Sequence, residues 1–244
     1  SAASDVYKRQ VYNYATGQPI QMPELSPLTY GHTDARLILR VGGSMGDVYG
    51  QRLLKRDLNG YILNEEGVGL AMENKETYLG SILPKMNMGW SLGFGYKGVN
   101  LGMTFTGRFG GIVISETQSV LDAAGVSKVS ADVRDAGGVQ INQSKVSAQT
   151  YYQTIQGTAA YYTYSATNVR LGELSLSYTL PKKWFDNKVG MTVGLVGKNL
   201  WMIYCKAPFD PELTTSAASN FYQGFDAYML PSTRNFGFNV KFQF

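Results

Sequence analysis

From Arg234 to Phe244 the chain places Phe236, Phe238, Val240, Phe242 and Phe244 at alternate positions, with Asn235, Gly237, Asn239, Lys241 and Gln243 between them. Side chains alternate across a strand, so the stretch predicts one wholly apolar face backed by a polar one. It exceeds the usual globular strand of about 5–6 residues and matches the roughly 9–11 that cross a bilayer. The same pattern recurs upstream. Met86, Met88, Trp90, Leu92, Phe94 and Tyr96 alternate with Asn87, Gly89, Ser91, Gly93 and Gly95. A short turn, Lys97-Gly98-Val99-Asn100, leads to Leu101, Met103 and Phe105, which alternate with Gly102, Thr104, Thr106 and Arg108. A second hairpin pairs Leu174, Leu176, Tyr178 and Leu180 with the run Met191, Val193 and Leu195 across a turn from Pro181 to Asn187. That run continues through Lys198 and Trp201 to Tyr204. A further, weaker strand is predicted within Leu37 to Leu54. Large apolar residues on one face and small polar ones on the other suit a wide barrel not filled by its own wall.

Connection lengths are asymmetric. Lys97–Asn100 and Pro181–Asn187 are short, whereas 110–168, 205–230 and 55–84 are long. Outer-membrane barrels have short periplasmic turns and long extracellular loops. On that reading Tyr96, Tyr178 and Trp184 lie near the periplasmic interface, and Trp201, Tyr204 and Phe236 lie toward the outer rim. With Trp90 between them, these aromatics form the expected membrane girdles.

Composition agrees with sheets whose surfaces do not all face water: of 244 residues 16% are charged and 13% aromatic, with 17 Tyr and 28 Gly. An ordinary soluble domain carries about a quarter charged residues. No apolar run of the roughly 18 residues needed for a membrane helix is present, which says nothing against strands. The net charge of +4 is spread without a basic stripe, so nucleic acid is not expected as a partner. Ser1 to Gln10 (SAASDVYKRQ) resembles a translated adapter or assembly scar, and residues 11–244 are taken as the folded part. The chain is accordingly expected to lack residues on its N-terminal side.

Candidate chemistry is sparse. Cys205 and His32 are the single cysteine and histidine, which leaves no CxxC site, no HExxH site and no support for a nucleophile pair. Gly93-Phe94-Gly95-Tyr96-Lys97-Gly98 satisfies GxGxxG but lies in an alternating strand and its turn, not between strand and helix. Asp57-Leu58-Asn59-Gly60 reads as an Asn-Gly hairpin turn, because its glycine comes too early for a calcium loop. Asp132, Asp135, Asp210 and Glu212 read as solvated loop charges. Tyr151, Tyr152, Tyr161, Tyr162 and Tyr164 either pack a loop or offer exposed rings to a sugar or a partner protein. No catalytic residue, cofactor or metal is expected.

A set of segments, each weak alone, follows in order: Gly46-Asp47-Val48-Tyr49-Gly50, Tyr78-Leu79-Gly80, Gly107-Arg108-Phe109-Gly110-Gly111, the run from Val169 to Pro181, Gly197-Lys198-Asn199-Leu200-Trp201, Pro208-Phe209-Asp210-Pro211-Glu212 and Leu230-Pro231-Ser232-Thr233-Arg234. Together, from about Gly42 to Phe244, they resemble the C-terminal region of SusC/RagA-type TonB-dependent outer-membrane transporters of Bacteroidota. The resemblance implies an all-β, antiparallel transmembrane barrel of 22 strands, of which this chain supplies about six, with long extracellular loops. It implies uptake of oligosaccharides or peptides, a SusD-like surface lipoprotein as lid, and energy from TonB through a plug that has no match here. It also implies that Phe242 and Phe244 belong to the signal read by the barrel-assembly machinery. A passive porin or adhesin barrel would use the same strands. A soluble carbohydrate-binding β-sandwich is the third alternative, and it predicts a product that needs no detergent.

Overall fold

The computed structural model describes residues 28–29, 33–38, 40, 42–62, 64–65, 69–142, 144–185, 189–213 and 224–243. The chain divides into two compact units. Residues 84–110, 165–213 and 230–244 make one, and residues 1–83, 111–164 and 214–229 make the other. Ser1 to Gln10, His32, the Asp186-Asn187 end of the second turn and Phe244 lie outside the described residues.

Before the first unit's sheet the chain contributes β1 (Leu28–Thr29), β2 (Arg36–Leu37), β3 (Asp47–Leu54), β4 (Asn64–Glu65), β5 (Gly69–Leu70) and β6 (Met72–Ser81). The alternating segments then form β7 (Met86–Tyr96) and β8 (Val99–Phe109). After β8 come β9 (Ile112–Ser115), α1 (Glu116–Ala123), α2 (Lys128–Asp135), β10 (Val139–Ile141), β11 (Ser144–Val146), α3 (Ala148–Ile155) and β12 (Thr163–Ser165). The rest is β13 (Asn168–Thr179), β14 (Gly190–Cys205), β15 (Phe225–Asp226) and β16 (Asn235–Gln243).

Five of these strands make one antiparallel sheet in the order β16-β14-β13-β8-β7. Sequence neighbours pair, apart from the two long excursions, which leave from the same end of the sheet. The β7–β8 turn is tighter than the alternation suggests. Val99 and Asn100 are already paired, with Tyr96 and Gly95, leaving a two-residue turn. Lys97 and Gly98 both have positive φ, 45° and 85°, the type I′ signature that matches the twist of the strands. The GxGxxG stretch is therefore the end of a strand and its hairpin.

The sheet is open, with β7 and β16 as its edges, and its five strands fall short of the expected six. The predicted Leu37–Leu54 strand is β3, and it pairs with β6 in a different sheet, β1-β2-β3-β6. The stretch 55–84, expected as a long connection, thus contains a ten-residue strand, β6. Its charged middle, Glu73-Asn74-Lys75-Glu76, hides any apolar alternation. Asp57-Leu58-Asn59-Gly60 does form a hairpin turn: the Asp57 carboxylate accepts from the N–H groups of Asn59 and Tyr61 at 2.9 and 2.8 Å, and Gly60 has φ 85°.

The second unit also contains a parallel β9–β15 pair, with β12 on the other side of β9. The stretch 110–168, expected as loop, carries three eight-residue helices. Each starts at a serine whose side chain accepts a free N–H of the first turn: Ser115 from Gln118, Ser127 from Ser130, Ser147 from Thr150. Gly125 and Gly137, at φ 72° and 83°, follow the ends of α1 and α2. Apolar residues from sheet and helices form two cores, one around Val48, Ile82, Ile114 and Phe225, the other around Leu54, Leu70, Ile155 and Tyr162. Asp34 ties this unit together, accepting from Gln51 and Arg52 on one oxygen and from Ala159 on the other.

The hairpin turn gives a direct test. A Cβ on Gly98 would stand 2.8 Å from the Thr179 carbonyl oxygen, at a φ that side chains avoid, whereas a Cβ on Gly93 meets nothing within 4 Å. Gly98→Ala is expected to cost about 1–3 kcal/mol in denaturant unfolding of the detergent-solubilised chain. Gly93→Ala is expected to stay within about 1 kcal/mol of the parent.

Candidate functional site: an uncovered apolar wall

The register of the five-stranded sheet brings the alternating residues into continuous rows. On one face Tyr96, Val99, Tyr178, Val193 and Val240 lie side by side. The next row is Phe94, Leu101, Leu176, Leu195 and Phe238, followed by Leu92, Met103, Leu174, Gly197 and Phe236. Beyond these come Trp90, Phe105, Leu171 and Trp201, and then Met88, Gly107, Val169 and Tyr204. The opposite face reads Gly95, Asn100, Ser177, Gly194, Asn239, then Gly93, Gly102, Ser175, Val196, Gly237, then Ser91, Thr104, Glu173, Lys198, Asn235.

Nothing in the unit covers the apolar rows. Phe236 is 80% exposed, Tyr96 72% and Phe238 70%. Among the described residues Ala166 and Pro211 are the buried apolar side chains of this unit, and both lie between strands rather than in one. An apolar surface of this extent, on strands that bury no core, has to meet something other than water. From Met86 to Tyr96, β7 makes ten steps of about 3.4 Å, roughly 34 Å. At a tilt of about 40° that projects to about 26 Å, the height of an outer-membrane apolar band.

The predicted girdle residues take definite places in this frame. Tyr96 and Tyr178 share the row next to the β7–β8 turn. Trp184 sits in a 3₁₀ turn, Lys182–Phe185, beyond the same end of β13. Trp90 and Trp201 share a row three further on, and Tyr204 lies in the row after that. Phe242 pairs with Met191 in the last turn-side row.

At the far end of the polar face the sheet carries charge. Arg170 on β13 is 11% exposed and grips Asp210 with both guanidinium nitrogens, at 3.0 and 2.7 Å. Its Nη2 also lies 3.2 Å from Glu212, and Asn168 donates to the same carboxylate. Arg170 in turn donates to Asn168 Oδ1 from Nε and Nη2. Asp210 is 8% exposed, which corrects its reading as a solvated loop charge, whereas Glu212 is paired but exposed. Burial pushes the Asp210 carboxyl up, but the Arg170 fork, the Glu212 N–H and Ser232 outweigh it and hold the group below its ordinary value. Removing one partner of such a pair leaves a buried charge and costs about 3–5 kcal/mol. Sequence reading passed over Arg170, although its polar phase in β13, opposite Thr106, was the signal available.

The tyrosine cluster belongs to the other unit. Tyr152 and Tyr162 are buried there, and Tyr151, Tyr161 and Tyr164 pack half-buried against the same core. Tyr151 and Tyr152 meet edge to face at 5.3 Å, and the Tyr161 hydroxyl accepts from the Leu54 N–H. Burial, and then the nearby Asp122 carboxylate, push the Tyr164 phenol up to about 12 and Tyr162 higher still. These rings first of all pack the helices on the sheet. A groove of about 510 Å³ opens among the three helices, with Asp122, Arg134, Gln149, Tyr152 and Gln153 in its lining. It offers hydrogen-bonding groups of both charges. Cys205, on β14, lies half-buried with its Sγ 3.5 Å from the Ala207 carbonyl and 3.6 Å from that of Phe209.

No protein-family profile matches the chain, and no curated protein matches it. Among solved structures the fold is similar to a chain of the RagAB peptide importer in its closed-closed state, at a TM-score of 0.50 and 17% identity. The match covers 81% of this chain and 23% of that one. A second structure, of the RagAB peptide transporter, matches at a TM-score of 0.44 and 22% identity over 65% of this chain and 20% of that one. The chain therefore spans less than a quarter of the length of the transporter chains it matches. At these identities the likeness is one of fold.

Two titrations follow, with opposite signs. Asp210 has a depressed folded pKa, so its contribution is complete above the ordinary value of 3.8 and fades as pH falls through the lower folded value. Hydrogen exchange at the Glu212 N–H, which donates to Asp210 at 3.0 Å, should stay protected above the ordinary carboxyl value of 3.8 and lose protection only as pH falls further, after correction for the intrinsic rate. Tyr164 has a raised folded pKa, so its stabilising effect holds below the ordinary value of 10.0 and is lost as pH rises toward about 12. Tyrosinate absorbance of the folded chain should lag that of the denatured chain across this interval.

Proposed function

We propose that this chain is the C-terminal part of an outer-membrane transporter of the SusC/RagA type, taking oligosaccharides or peptides across the outer membrane of a Bacteroidota-like cell. The observation that carries this reading is the uncovered apolar wall: five long antiparallel strands with one face aliphatic and aromatic and the other Gly, Ser, Asn and Thr. The fold likeness to a peptide importer supports it, as do the short turns at one end of the sheet and long excursions at the other. The apolar rows face lipid, and Tyr96, Tyr178, Trp184, Trp90, Trp201 and Tyr204 sit in or near the two interfaces. The polar face lines the path of the solute. Further strands extend the sheet at both edges toward the 22 of the family.

In this reading the importer works with a SusD-like surface lipoprotein, takes energy from TonB through a plug, and is inserted by the barrel-assembly machinery, to which Phe242 and Phe244 belong as signal. The soluble sandwich reading fits poorly with a wall that packs on nothing.

Two lysine substitutions in adjacent positions test the membrane face. Leu174 lies in the middle one of the five apolar rows, whereas Ser175 lies on the opposite face. In lipid vesicles, Leu174→Lys is expected to destabilise the folded sheet by about 2–4 kcal/mol, the cost of lysine at the bilayer midplane, and Ser175→Lys by less than about 1. Equal effects of the two would sink the proposal, as would a parent chain that stays monomeric and folded without detergent.

A further inference from the structure

The excursion after β14 begins with Lys206-Ala207-Pro208-Phe209-Asp210-Pro211-Glu212-Leu213. Length alone would make it the root of a mobile loop, yet its described residues are fastened at three points. Arg170, on the neighbouring strand, holds Asp210 by two parallel hydrogen bonds and reaches Glu212. Asn168 donates to Glu212 at 3.1 Å. The Cys205 thiol faces the carbonyls of Ala207 and Phe209 at 3.5 and 3.6 Å. Pro211 is fully buried beside the ion pair. Two prolines stiffen the segment, and the Asp210 side chain caps the Glu212 N–H, so the turn is shaped before it docks.

We propose that residues 206–213 form a strap held permanently against the polar face of the sheet, and that Arg170 is its positioning residue. The planar fork matters as well as the charge. Arg170 meets two carboxylates and an amide oxygen through all three of its nitrogens, a set a lysine ammonium cannot reproduce. The segment then leaves the end of β14 as a fixed turn up to Leu213. The polar face is narrowed at that end by a bound segment and not by a swinging one. This inference rests on the geometry of the sheet and does not depend on the transport reading.

The chain carries its own reporters. Cys205 is the single thiol, and Lys206 is a trypsin site inside the strap. In the detergent-solubilised 244-residue chain, with sheet content checked by circular dichroism, Cys205 should react with a maleimide at least tenfold more slowly than in denaturant, and Lys206 should resist trypsin. Asp210→Asn and Arg170→Met should each raise the labelling rate at least fivefold and expose Lys206, with Arg170→Lys in between. Lys198→Met, which removes the exposed pair with Glu173 at 3.8 Å on the same face, should change neither. The proposal is overturned if Lys206 of the folded parent is cut as fast as in the denatured chain, a result that needs no variant. It is overturned equally if folded Asp210→Asn labels at the parent rate. If Arg170→Met does not fold, Asp210→Asn and the parent decide alone.

Discussion

A strand placed in hydrocarbon has to find protein partners for all its backbone N–H and C=O groups, because each one left bare costs several kcal/mol where no water can reach it. In the five-stranded sheet β14, β13 and β8 meet that demand on both sides, and β7 and β16 meet it on one. The arrangement is stable in lipid only when the ladder continues past those two edges. In water the same edges would be a template for aggregation, the more so because β7 is eleven residues long and carries Met, Trp, Phe and Tyr on one face. Backbone closure, more than any side-chain contact, is what this sheet depends on.

The two units solve the burial problem in different ways. The helix-bearing unit hides Val113, Ile114, Ala159, Tyr162 and Phe225 inside itself. The sheet exports its apolar side chains and keeps small polar ones on the other face, which is the inverse of a soluble half-barrel. Its long strands, bulky outer rows and near-bare inner rows are three results of one choice of solvent. Charge enters the sheet mainly at the end from which the excursions leave, and there it is gathered into the Arg170 ion pair instead of being left to water.

Much of this was legible in the chain. The period-two runs located β7, β8, β13, β14 and β16 because each contains an unbroken stretch with one apolar phase, and a pleated strand presents such a phase on one side. The Asn-Gly turn after Asp57 and the hairpin at Gly98 followed from turn chemistry. What escaped was local structure without a hydrophobic stripe. The three helices are short and mostly polar, so periodicity was silent, although Ser115, Ser127 and Ser147 with Gly125 and Gly137 marked their ends. β6 escaped because Glu73 to Glu76 interrupt it with charge. The Arg170 pair escaped for another reason: its partners lie 40 and 42 positions away, and only the folding back of the segment after β14 brings them together. The tyrosines were counted as loop residues, but a loop that folds on its own needs large rings to fill it.

One irregularity in β13 has wider meaning. Around Gly172 the register slips against both neighbours: Leu171 pairs with Phe105 and Trp201, while Glu173 pairs with Thr104 and Lys198. The residue left over moves Leu171 and Leu174, three positions apart, onto the same side of the sheet. β13 is thus two half-strands in opposite phase joined at a glycine. Any comparison of related chains that carries a strict odd–even rule through this strand would turn one half inside out, assigning Arg170 to the apolar face and Leu171 to the polar one. Gly172 works as a phase marker, and faces on either side of it have to be counted separately.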